Sequence, residues 1–162
     1  MQEQQVARQD KDGGADLRQF IDAVAQNNIG QATALMAASA DKRDDAGCHM
    51  FVTSATSNGW SAVTVAASYG HTDMMRMLLH AGSPVEMPTN VGETALYAAA
   101  RCGMLDAVKL LVASKANISA TNTKGATACH VAAEKGKWSQ LVSQICSWCP
   151  GQFGTPAAVF TP

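Results

Sequence analysis

Apolar residues along this chain fall into short blocks with helical spacing, and glycines separate the blocks. In "DLRQFIDAVA" (16–25), Leu17, Phe20, Ile21 and Val24 stand at i, i+3, i+4 and i+7, on one face of a helix. Asp16 and Gln19 give that helix a capping-box-like start. Ala32, Leu35 and Met36 continue on a second helix after Gly30. Farther along, "MMRMLL" (74–79) and "AVKLLV" (107–112) repeat an i, i+1, i+4, i+5 pattern that turns Arg76 and Lys109 to water. The same spacing makes Met74 and Met75 core and leaves Met77 the more exposed of the three methionines.

A shorter apolar block precedes each of these helices, and the short blocks share one pattern. "GWSAVTVAASYG" (59–70), "GETALYAAARCG" (92–103) and "GATACHVAAEKG" (125–136) align without gaps. Their leading glycines, Gly59, Gly92 and Gly125, are 33 residues apart, and so are Gly70, Gly103 and Gly136 at the other end. Ser61, Thr94 and Thr127 stand where a helix begins and can accept from unpaired amides of its first turn. The Ala-Ala pairs allow close approach of successive helices, and the closing glycine takes a left-handed cap at least cost. Each unit therefore reads as turn, short helix, turn, longer helix, loop.

That period and those letters resemble the ankyrin-repeat family, whose T-P-L-H-x-A signature is matched by "SAVTVA" (61–66), "TALYAA" (94–99) and "TACHVA" (127–132). "YGHTDMMRMLLHAG" (69–82) resembles the family's second-helix segment. The copies depart from the pattern at Ala62, Ala95 and Ala128, where the family has proline. Lys115 stands where the preceding copy has Gly82, so a positive φ there would carry strain. The resemblance implies an all-α solenoid of stacked helix-turn-helix units joined by short β-turn or hairpin connections.

The expected organisation is an N-terminal arm (1–13) and a repeat domain (14–149), followed by a Pro- and Gly-containing flexible tail (150–162). Within the domain, residues 16–41 read as a capping repeat. Gly30 lies 40 residues before Gly70, seven beyond the period, and those seven residues fit a long loop over 42–55. Repeats follow at 56–88, 89–121 and 122–149. In the last, Ser143 and Gln144 fall where Met77 and Leu78 stand earlier; either the outer helix turns polar or one inserted residue brings Ile145 to the leucine position, and both suit the wettable end of a stack.

Composition narrows the function classes. Formal charge is −1 with 15% charged residues, so there is no concentrated basic field for nucleic acid. No apolar run approaches the roughly 20 residues that cross a bilayer. The N-terminal segment lacks the apolar stretch of a secretory signal, so a cytoplasmic or nuclear location is expected. Five cysteines, an odd count, point to reduced thiols. Cys146 and Cys149 form a C-x-x-C without the second pair a zinc site needs. His130 and Glu134 share a helix face, but the resemblance makes His130 a hydrogen-bonding structural residue. Phosphate-loop, zincin and nucleophile-elbow motifs are missing, so no enzyme, cofactor or metal site is expected.

The resemblance implies a non-catalytic module that binds another protein through a concave face made of turn tips and short-helix ends. Carried over by position, the candidate contacts are Asn58, Trp60, Val91, Glu93 and Lys124 on the tips, and Ser68, Tyr69, Arg101 and Lys135 at the helix ends. Trp60, Tyr69 and Arg101 are the strongest candidates, because aromatic and Arg anchors concentrate binding energy. The unbound chain is expected to be monomeric. A structural or self-associating subunit, docking through the irregular C-terminal repeat, is the alternative.

Overall fold

The computed structural model describes residues 13–40 and 53–136. The expected loop at 42–55, the second helix of the last repeat, Cys146, Cys149 and the tail lie wholly or largely outside them. Within the described residues the chain forms seven helices: α1 (Gly13–Ala25), α2 (Ile29–Ala40), α3 (Ala62–Tyr69), α4 (Thr72–His80), α5 (Ala95–Cys102), α6 (Leu105–Ala113) and α7 (Ala128–Glu134). The first helices of successive pairs, α1, α3, α5 and α7, pack in series, α4 packs on α6, and α2, α4 and α6 each pack on the first helix of their own pair. No helix among the described residues is long and apolar enough to cross a membrane.

Side-chain size explains the series. Ala66, Ala67, Ala99 and Ala100 are fully buried on α3 and α5, which pack on each other, and side chains that small permit a close approach. Phe20, Val63 and Leu96 fill the layer beside them, and Met74, Met75, Leu78, Val108 and Leu111 close the core from the second row of helices. Met77 is half-buried, as its spacing predicts.

Caps bear out the boundary signals. Ser61 accepts from the Thr64 amide, Thr94 from Tyr97 and Thr127 from His130. His130 is the hydrogen-bonding residue expected: its Nδ1 accepts from the Thr127 amide at 3.3 Å, completing a reciprocal cap. Gly70 and Gly103 are left-handed and close α3 and α5.

The first helix pair corrects two expectations. α1 begins at Gly13, ahead of the Asp16–Gln19 signal. It is closed by Asn27 at φ 56, which does there what Gly70 and Gly103 do later. Asn28 N–H reaches back to Ala23 O at 2.8 Å just as His71 N–H reaches Ala66 O at 3.0 Å. Gly30 is therefore not a stop; it lies inside α2, which Asn28 caps by accepting from Gln31 N–H at 3.1 Å. Asn27 and Gly70 are 43 residues apart, so the excess over the repeat is ten residues rather than seven. Asn tolerates the left-handed region because its short polar side chain bonds locally, which is why a glycine search misses it.

Lys115 fulfils the other departure: it sits at φ 63, where Gly82 has φ 88. Its amide bonds Val112 O and the next amide, Ala116, bonds Leu111 O, a closure that holds the strained residue in place.

Candidate functional site

Three turns project from the starts of the short helices, and the same bonds build each. Thr56, Thr89 and Asn122 donate their amides to the carbonyls of Trp60, Glu93 and Ala126, at 3.0, 2.9 and 3.0 Å. Their side-chain oxygens accept from the amides of those same three residues. Successive tips are tied to each other as well. Asn90 N–H donates to Asn58 O at 3.3 Å, Asn90 Nδ2 to Ser57 O at 2.9 Å, and Thr123 N–H to Val91 O at 3.0 Å. The tips are therefore a ladder at the repeat spacing rather than independent loops.

Trp60, Glu93 and Arg101 come together on this frame. Trp60 follows the first tip and packs its half-buried ring against the core. Arg101, at the end of α5 in the next unit, lays its guanidinium over that ring, 5.8 Å from the centroid. Its Nη1 lies 3.5 Å from Glu93 Oε1; the Arg101 side chain stays 35% exposed while that of Glu93 is only 13% exposed. One arginine thus joins the tip of one unit to that of the next.

The other candidates are spread around this cluster. Ser68 is half-buried and donates its hydroxyl to Val65 O at 2.8 Å. Tyr69 is 59% exposed, and its ring stacks on His71 at 5.7 Å. Val91 is 52% exposed on the second tip. Asn58, Lys124 and Lys135 are exposed. The carbonyls of Asn58 and Val91 are occupied by the ladder, so those two have chiefly side chains to offer.

Sequence reasoning missed three kinds of residue. Thr56, Thr89 and Asn122 hold the tips, and the signal for them was a hydroxyl or amide side chain three residues before each leading glycine. His71 fastens the first helix pair to the next unit, with Nε2 2.9 Å from Ala25 O. Tyr97 is buried behind the cluster, with its side chain hydrogen-bonded to that of Asn122. Burial lifts its phenol above the ordinary 10.0; the Glu93 and Glu134 charges push the same way, against Arg101 and the Asn122 bond.

The arrangement offers surfaces for recognition. Among the described residues no three His, Cys, Asp or Glu side chains are grouped so as to hold a metal ion. On α7, His130 has its Nδ1 2.8 Å from Thr127 Oγ1. Cys102 is half-exposed and Cys129 buried.

No curated protein matches the chain. Two family models do: "Ankyrin repeats (3 copies)" over residues 81–146 and "Ankyrin repeat" over residues 58–90. Together they cover 58–146, more than half of the sequence, including the recurring glycines from Gly59 to Gly136 and the helix caps at Ser61, Thr94 and Thr127. The chain belongs to the ankyrin-repeat family.

Proposed function

We propose that this protein binds a protein partner through the face formed by its turn tips and short-helix ends. Ankyrin repeats are in general protein–protein interaction modules and are typically non-catalytic. The observation that carries the reading for this chain is the Trp60–Arg101–Glu93 cluster, which spans two units and leaves the Arg101 side chain partly exposed. An aromatic ring and an arginine held in one conformation lose little entropy on binding. Tyr69 and Val91 add exposed apolar area on the same rows.

The test is affinity capture from native lysate, read by mass spectrometry. Wild type runs beside a Trp60→Ala, Tyr69→Ala, Arg101→Ala variant and an opposite-side control, Arg76→Ala, Lys109→Ala, all matched for helicity and melting. A partner kept by wild type and the control and lost by the triple variant is the expected result. Equal retention by all three would refute the assignment of this face.

A further inference from the structure

Arg101 is oriented without being saturated. A guanidinium carries five N–H donors in one plane. Glu93 takes one of its nitrogens at 3.5 Å, well beyond the roughly 2.7–2.9 Å of a strong charge-assisted bond. The guanidinium carbon stands over the Trp60 ring, 5.8 Å from its centroid, and the side chain is still 35% exposed. Glu93 by contrast is nearly closed off at 13% and has little carboxylate to show a partner. Beyond the pair, the charged side chains on the tip and helix-end rows are Lys124 and Lys135, both exposed and cationic, and the exposed Glu134. Accessible charge on these rows is thus three cations against one anion, although the whole chain carries a formal −1.

We infer that this face receives a carboxylate from its partner, on an extended acidic segment, and that Arg101 holds it. The inference rests on the proposed function and adds the chemistry of the ligand. The incoming carboxylate takes the donors of Arg101 that Glu93 leaves unused, and the Trp60 ring keeps the guanidinium plane fixed for a paired contact. The ligand is extended because the tips repeat along a ladder, with Val91 on a tip and Tyr69 at a helix end supplying exposed apolar area. Glu93 then has two opposed effects: it positions Arg101, and it competes with the ligand for it.

The experiment selects peptides from a random phage-displayed library on the full chain and measures the enriched ones by fluorescence anisotropy. Enrichment of Asp and Glu is expected, and replacing the enriched acid with its amide should weaken binding by roughly tenfold or more, the scale of one hydrogen bond to a charged group. Arg101→Gln should match that loss, and Arg101→Lys should recover only part of it, because an ammonium lacks the planar fork. Glu93→Gln should tighten binding, by roughly threefold. A purely structural Glu93–Arg101 clasp predicts instead that both substitutions weaken binding, and that result overturns the inference. Enriched peptides without acids, sensitive to Trp60→Ala or Tyr69→Ala but not to Arg101→Gln, overturn the carboxylate and leave the face standing. Binding indifferent to all three positions overturns both readings, and failure to enrich any peptide overturns the extended segment as ligand.

Discussion

Gly59 and Gly125 occupy the same turn position two repeats apart and have nearly the same backbone, φ +78 and +74, yet replacing them by alanine should cost different amounts. At Gly125 a Cβ meets nothing within 4 Å among the described residues, so only the left-handed conformation opposes it. That strain is about 1–2 kcal/mol, partly offset by the smaller entropy of an unfolded chain with alanine, for a net loss of roughly 1 kcal/mol. At Gly59 the same Cβ lies 2.6 Å from Asn90 N and 2.9 Å from Thr89 Cα, both backbone atoms of the next unit. The second tip has to retreat toward the 3.4 Å of ordinary contact. Doing so stretches the Asn90 N–H bond to Asn58 O and the Asn90 Nδ2 bond to Ser57 O. At about 1 kcal/mol for each bond, Gly59→Ala should cost roughly 3 kcal/mol. Gly92→Ala, with its nearest backbone atoms at 3.1 Å, falls between. Urea and thermal unfolding followed by circular dichroism give the comparison. The Gly59 variant should melt some 4–8 °C below the Gly125 variant for a chain of this size. Asn90→Ala should cost less in the Gly59→Ala background than in wild type, because the bond it removes is already strained. Equal losses at Gly59 and Gly125, within about 0.5 kcal/mol, would refute the idea that the ladder of tips is a mechanical contact.

Other positions give simpler tests. Lys115→Gly removes the strain at φ 63 and should stabilise by roughly 0.5–1 kcal/mol after the entropy of glycine is counted; an unchanged or lower melting temperature speaks against it. Thr94→Ala removes the hydroxyl that accepts from the Tyr97 amide and should cost about 1 kcal/mol, whereas Thr94→Ser should cost little of it, as chemical denaturation would show. Tyr97 has its folded-state value raised, so its contribution is fully present below about pH 10 and is lost as pH climbs through the raised value. The stability difference between wild type and Tyr97→Phe should therefore move toward the variant as pH rises above about 10, and a gap that stays constant there would contradict the burial of the phenol.

Much of the fold was legible because its signals are local. Thr94 and Gly103 mark the two ends of α5 by chemistry that acts within one helical turn, and the alanines of α3 and α5 announce close packing by size alone. The first helix pair was read less well. Asn27 closes α1 in the left-handed region without being glycine, and Gly30, the residue that looks like punctuation, lies inside a helix. The candidate surface was legible as two sets of positions, not as a site. Ser68 and Arg101 share a register, but one hydroxyl bonds its own helix while the other side chain reaches a neighbouring unit.

The sequence by itself determined the period, the caps and the alternation of short and long helices, since each depends on residues a few positions apart and recurs until chance is excluded. Only the tertiary structure decided that Arg101 lies over Trp60 and against Glu93, that Asn90 binds the tip before it, and that Gly59 but not Gly125 is hemmed in by backbone among the described residues. Those contacts join residues from different repeats. A repeated pattern says that units stack, but which side chains meet depends on the rotation and rise between units, and these are set by packing across the whole interface rather than by any one stretch of chain.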